Sequence, residues 1–546
     1  MIKKILGVLA IILLIAGCSP VATATTAPAA TATTAAVAVA TTAAVAVATT
    51  APVATATTAP VATAESTKGP PYMIDYYMVG NQDSADRPNV EKAIDAYIEP
   101  LINANVTFHI IGWGDWAGKA VTALEAGEKM DVFFTADWEF YSKEVTEGLL
   151  LPLNDDKDPN GNLLKQYGQS ITSSLNPAYL TGAAINGINY AIPTNKELSV
   201  PWGFVYNATI ADKIGFTDAD AAAIKTMADL EPWLAKAKAA HPDIFPYDTD
   251  GTIGFMLWQH GFTNLSDYIV NMSAIPDASG KVDETILDPM ETPWMKDYLN
   301  TIHSWMGKGY IDPNAALTTF VTSDSLNAGK FFIEPMPLKG NNAKASELMI
   351  ASGNPDLKLK EIYGMPKVVN TSDAGGSMLA IPTTSKNPVV AMQYINLMHS
   401  DPTLVNMMLY GVPNTDWTVD ADGRVSVAAN NSWVTSIAGA WVMGDITLQK
   451  VTNKEDPKKN QLLIDYAKDA LSMPSLGFRF DQTPVAAEVT AVQAVVDSEQ
   501  RALLTGSVNP ATALPKFVSD LKAAGLDTIT TEVQKQYNAW KAASGK

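Results

Sequence analysis

The chain has 546 residues, with 38 Lys and Arg against 57 Asp and Glu, a formal net charge of −19 and one cysteine. No Lys/Arg cluster stands against that acidity, which argues against nucleic-acid binding and electrostatic docking on anionic lipid, because counterion release needs a basic patch. The lone cysteine excludes a disulfide framework, a Cys-ligated metal and a thiol nucleophile in the body, so stability must come from buried area, which a chain of this length supplies as two domains.

At the start, Lys3 and Lys4 form a positive n-region, Ile5 to Ile15 an apolar h-region, and Ala16 and Gly17 put small residues just before Cys18. The apolar run falls short of the roughly 20 residues of a spanning helix. Residues 1–18 resemble a bacterial lipoprotein signal with its lipobox. That resemblance implies cleavage before Cys18, a diacylglycerol on its sulfur, acyl chains such as palmitate, and attachment at the outer face of the cell membrane. Two or three acyl chains anchor durably where one does not. From Val21 to Ala64 the chain repeats with a period of eight, as in VATATTAP and VAVATTAA, and carries no charge. Ala, Thr and Val alone bury too little surface to offset the entropy of ordering, so residues 19–69 are expected to be a disordered stalk, with a random-coil reach of roughly 36 Å.

The body opens with a predicted strand over Met73 to Val79, a helix over Asn89 to Asn103, a strand over Val106 to Ile111, a helix over Lys119 to Ala126 and a strand over Asp131 to Thr135. This βαβαβ order predicts an α/β fold with a parallel sheet. Ligands of such sheets bind beyond the carboxyl ends of the strands. Here those ends carry Gly80-Asn81-Gln82-Asp83, Gly112-Trp113-Gly114-Asp115-Trp116 and Thr135-Ala136-Asp137-Trp138.

The spacing Gly112-x-Gly114-x-x-Ala117 imitates a dinucleotide fingerprint. Trp113, Asp115 and Trp116 nevertheless stand where bare backbone should meet pyrophosphate, and an aspartate there would repel it. The five histidines show no His-x-x-x-His spacing, and neither a Walker A loop nor a Gly-x-Ser-x-Gly elbow occurs. Neither a cofactor nor a metal is expected. Asp156 to Asn162 follows the opening of a calcium loop, but Tyr167 stands where the bidentate acid is due, so a turn is the simpler reading.

Asn186 to Asn207, NGINYAIPTNKELSVPWGFVYN, reads as a turn, a short strand, a polar segment with Glu197, and a strand ending Tyr206-Asn207. It resembles the crossover segment of family 1 extracellular solute-binding proteins, the receptors of ABC importers. Gly148 to Leu153, Lys308 to Ile311 and Gly375-Gly376 to Pro382 before a helix over Asn387 to Ser400 match that family in order. The tail from Leu521 to Trp540, with Leu409 to Val412, resembles its LipO-like lipoprotein subgroup. The resemblance implies a non-enzymatic receptor with a two-lobed periplasmic-binding-protein-like fold, mostly parallel sheets flanked by helices, and hinge crossovers. Lobe one is expected over 70–200 and 371–435, lobe two over 201–370 and 436–546, with the second crossover near Tyr363 to Met378.

Sugars present apolar C–H faces ringed by hydroxyls, so a cleft for them joins flat aromatics to bidentate polar groups. The 12 tryptophans allow such a cleft. Trp233, Trp305 and Trp540 fall in helical periods and are expected in the core. The ligand-binding candidates are Gln82, Asp83, Trp113, Trp116, Asp137, Trp138, Glu197, Trp202, Trp258 and Gln259; Trp417 is a loop ring that could face either way. The expected partners are an oligosaccharide, ABC permease subunits and the membrane through Cys18, with the protein acting as a monomer. A receptor for peptides or polyamines, and a surface glycoside hydrolase using two carboxylates, are the competing readings.

Overall fold

The computed structural model describes residues 69–249, 251, 262–266, 270–273, 282, 284–317, 325, 328–352, 354, 356–363 and 367–545. The signal, Cys18, the repeat, Trp258 and Gln259 lie outside the described residues.

The strands that position the site are β1 (Tyr72–Gly80), β2 (Ala104–Gly112), β3 (Val132–Thr135), β4 (Ala191–Pro193), β5 (Trp202–Asn207), β6 (Ile333–Pro337), β7 (Leu359–Ile362) and β8 (Met378–Ala380). The first sheet has the order β2-β1-β3-β8-β4. β1 runs parallel to β2 from the pair Tyr72 and Ala104 to the pair Gly80 and Gly112, so both strands end at one level. β3 joins the other side of β1 in parallel. β8 lies antiparallel between β3 and β4. Helix α1 (Arg87–Ile102) covers this sheet with Val90, Ile94 and Ile98, spaced for one helical face. Burying each such side chain contributes about 1.5 to 3 kcal/mol. α1 stops where Asn103 turns left-handed at φ 49°, a conformation asparagine tolerates better than most residues.

The second sheet has the order β7-β5-β6 and is antiparallel throughout. The expected parallel pairing therefore describes β1 to β3, while the second sheet returns on itself. Helices α2 (Pro293–Gly307), α3 (Ala486–Leu504), α4 (Pro510–Ala524) and α5 (Leu526–Ser544) share a hydrophobic core with its residues Phe204, Tyr206 and Ile333.

Two large hydrophobic cores result. One gathers Tyr76, Phe108, Phe133, Phe134 and Trp433; the other gathers Tyr247, Trp305, Phe332, Phe517 and Tyr537. The chain passes between them after β4, after β7, and again at 476–478, where Leu476 belongs to the first core and Phe478 to the second. Ile437, Val442 and Met443 also pack in the first core. Of the tryptophans expected in the core, Trp305 is buried, whereas Trp233 and Trp540 are half-buried against the second core. Trp417 is buried and donates from Nε1 to the carbonyl of Gly411 at 2.9 Å. In the Asp156 to Asn162 loop, Asn162 donates to Asp156 and caps the following turn by accepting from Lys165 N at 2.9 Å, as a turn would use it.

His399, directly after Met398 of the first core, is buried with no hydrogen-bond partner for either ring nitrogen. Burial pushes its pKa down to about 3. The unfolded chain takes up this proton near pH 6.5, so the unfolded state gains relative to the folded one as pH falls below that value. His399→Leu is expected to be more stable than the parent by about 1 to 3 kcal/mol, since it removes two orphaned polar atoms. Its advantage should widen between pH 7 and pH 5 in urea unfolding. An advantage that stays flat or reverses would show the imidazole to be satisfied.

Candidate ligand-binding site

β1 ends against a distant stretch of chain. Asn81 N donates to the carbonyl of Ser436 at 2.7 Å, and Gly80 bridges Ile437. A Cβ on Gly80 would sit 2.4 Å from that carbonyl, so the close approach requires glycine. The seated segment then turns at Gly439, φ 100°, into the short helical turn Ala440–Val442 that carries Trp441.

Trp441 lies parallel to Trp113 from the end of β2, with ring centroids 5.7 Å apart and planes 4° apart. Trp138, just beyond β3, stands 5.9 Å from Trp113 and 6.4 Å from Trp441. All three rings rest on Phe134 of β3, at 6.2, 6.3 and 6.3 Å. Nε1 of Trp138 donates to the carbonyl of Gly376 at 2.7 Å, which fixes that ring. Trp113 is 37% exposed and Trp138 50% exposed, an unusual display for the largest apolar side chain. Contacts of this kind contribute about 0.5 to 1.5 kcal/mol per pair beyond area burial, so the platform is assembled before any ligand arrives. Trp441 escaped the sequence reading because contacts distant in sequence, among them the Asn81 to Ser436 bond and the Gly80 to Ile437 bridge, bring it here.

The other candidates divide. Trp116 is 1% exposed and packs on Phe133 and Phe134, so it is core rather than platform. The chain from Trp116 to Val121 winds as a π-helical turn, which swings Trp116 inward while Trp113 stays at the rim. Asp137 is occupied by an ion pair with Arg479. Those two residues line a groove of about 1680 Å³ together with Phe140, Asn186, Gln536 and Trp540, and none of the three platform rings borders it. Gln82 and Asp83 are exposed, and Asp83 accepts from Arg87 Nε at 2.8 Å. Trp202 opens β5, half-buried on the second core and beside Val368 and Met473. Trp258 and Gln259 lie outside the described residues.

Glu197 lies in the crossover between β4 and β5, 7% exposed. Its Oε1 is 3.5 Å from Lys196 Nζ and 3.9 Å from Lys339 Nζ, the latter just after β6. Burial by itself would raise this carboxyl; the ammonium of Lys196, then that of Lys339, outweighs it and holds the pKa at about 2. Asp373, entering β8 from the second crossover, is pushed up to about 7 by burial, against the pull of Lys196. Glu197 thus ties the crossover to the second sheet.

A model of the family "bacterial extracellular solute-binding protein" matches residues 103–403, more than half of the chain. The chain belongs to this family. Such proteins are receptors that work outside the cytoplasm and are not enzymes, and no helix among the described residues is long and apolar enough to cross a membrane. A domain of unknown function (DUF3502) matches residues 474–542. A carbohydrate ABC transporter substrate-binding protein of Streptococcus pneumoniae is 26% identical over 474 residues, covering 85% of this chain and 90% of that one. Among solved structures, the N-glycan transport solute-binding protein NgtS of Streptococcus pneumoniae has a TM-score of 0.72 at 22% identity, covering 86% of this chain and 98% of that one. A solute-binding protein from Bifidobacterium longum infantis described as HMO-binding has a TM-score of 0.61 at 15% identity, over 86% of this chain and 99% of that one. The two cores and three crossovers are the counterpart of the two-lobed fold of these solute-binding proteins.

Proposed function

We propose that this receptor captures an oligosaccharide between its two lobes, is tethered to the outer face of the membrane through Cys18, and delivers its ligand to ABC importer permeases. The observation that carries the sugar reading is the platform of Trp113, Trp138 and Trp441, with two strongly exposed rings at the carboxyl ends of β2 and β3. Flat indoles stack on the C–H faces of pyranose rings, and sites for small ligands sit at such strand ends. The carbohydrate and glycan descriptions of the relatives support the same ligand class. Within this reading lobe one comprises 70–200 and 371–476, because Ile437, Val442, Met443 and Leu476 pack with the first core. Lobe two takes 201–370 and 477–546, a later boundary than the 435 expected from sequence. Trp113, Trp138 and Trp441 form the lobe-one wall, with Trp202 offered by lobe two.

Thermal-shift screening of residues 69–546 against oligosaccharides, peptides and polyamines tests the ligand class. A ligand at 100 times its dissociation constant adds about 2.7 kcal/mol. Stabilisation by oligosaccharides alone is expected; stabilisation by peptides or polyamines alone would replace the sugar reading.

The anchor has its own test. Cys18→Ser is expected to leave the protein uncleaved or shed into the medium, since no acyl chain can attach. Normal membrane fractionation of the wild type without incorporated palmitate label would overturn it.

A further inference from the structure

We infer that Arg479 is a positioning residue for the platform, and that the 474–542 segment, which matches a domain of unknown function, thereby helps hold the binding site in shape. This rests on the platform reading above. Neighbouring residues of that segment point into different lobes. Phe478 is buried in the second core, edge-on to Tyr537 at 5.2 Å. Arg479 instead reaches into lobe one, where its guanidinium is ion-paired with Asp137. It also donates from Nη2 to the carbonyl of Gly182 at 2.6 Å and from Nε to that of Ala184 at 3.3 Å, and its Cζ lies 5.1 Å from the centre of the Tyr141 ring.

These partners surround one loop. Asp137 is the residue before Trp138, and Asp137 N donates to the carbonyl of Gly375 at 2.9 Å, next to the Gly376 carbonyl that receives Trp138 Nε1. Gly182 and Ala184 are at the carboxyl end of the helix Pro177–Ala183, where a cation is favoured. Tyr141 follows the loop and donates its hydroxyl to the carbonyl of Ala183 at 2.8 Å. A planar fork with five donors holds a carboxylate and two carbonyls in one plane, which a point-charge ammonium does not. Asp137, expected from sequence to meet ligand, is in this account half of the clamp that sets Trp138.

The experiment uses protein labelled with 5-fluorotryptophan, with the ¹⁹F resonances of Trp138 and Trp202 assigned from Trp138→Phe and Trp202→Phe. In Arg479→Met the Trp138 resonance is expected to shift or broaden while that of Trp202 stays in place. Arg479→Lys should give a smaller change of the same kind, and it serves as the test if the methionine variant does not fold. With an oligosaccharide found by the screen, Arg479→Met should weaken binding about tenfold, a loss of about 1.4 kcal/mol. The same change in a Trp138→Ala background should add little, since coupled residues are non-additive. A Trp138 resonance unmoved in both variants, equal displacement of Trp138 and Trp202, or fully additive losses would overturn the role of Arg479. If no sugar binds the wild type, the ligand reading fails while the ¹⁹F result still decides the clamp.

Discussion

Trp441→Ala is expected to weaken oligosaccharide binding by about 2 to 4 kcal/mol, the range of central aromatic anchors, with Trp113→Ala in the same range and the double variant losing less than the sum. The two rings are parallel neighbours with centroids 5.7 Å apart, so either truncation also frees the other. Trp116→Phe is the contrasting variant. Its ring is buried against Phe133 and Phe134 and its Nε1 has no partner, so binding should stay within a factor of two while stability changes. Calorimetric titration of each variant, with a melting curve to establish folding, checks the set. Losses at Trp116 and none at Trp113 or Trp441 would place the ligand elsewhere.

Glu197→Gln is expected to lower stability by about 3 to 5 kcal/mol at neutral pH, the cost of removing one partner from a buried charge cluster. Lys196 and Lys339 would lose the carboxylate they face across 3.5 and 3.9 Å, although Lys339 keeps Glu347 at 2.9 Å. The sign with pH follows from its carboxyl. The folded pKa is held at about 2 against about 4.3 unfolded, so its stabilisation is present above about pH 4.3 and is lost as pH falls toward 2. Wild type and variant should therefore converge in urea unfolding as the pH is lowered through that window. A constant difference across it would mean that Glu197 is not ionised in the folded protein.

Much of the architecture was legible because it is written locally. The apolar run that predicts a strand over Met73 to Val79 is β1 (Tyr72–Gly80), and the apolar spacing over Asn89 to Asn103 is the face that α1 (Arg87–Ile102) buries. The strand ends carry Trp113 and Trp138, and the structure leaves both rings exposed. What was not legible depends on contacts distant in sequence. Trp441 reaches the platform through a pairing of residue 437 with residue 80. Asp137 is neutralised by Arg479, 342 positions away, so a strand-end acid that reads as a ligand group is already committed. Trp116 follows the same strand end as Trp113, but the backbone changes from a 3₁₀ to a π-helical turn between them and its ring is buried. Glu197 looked like a loop acid; it is buried and faces Lys339, which follows β6 far along the chain. The direction of pairing in the second sheet was equally hidden, since a strand's own sequence does not state which neighbour it meets.

The account stands or falls on the platform as a sugar-binding wall. The most direct measurement is isothermal titration of residues 69–546 with the oligosaccharide that gives the largest thermal shift, carried out on the wild type and on the Trp113→Ala/Trp441→Ala double variant. Saturable one-to-one binding by the wild type, weakened at least about 30-fold in the folded double variant, roughly 2 kcal/mol, is the predicted result. Equal affinity in the two proteins would contradict it.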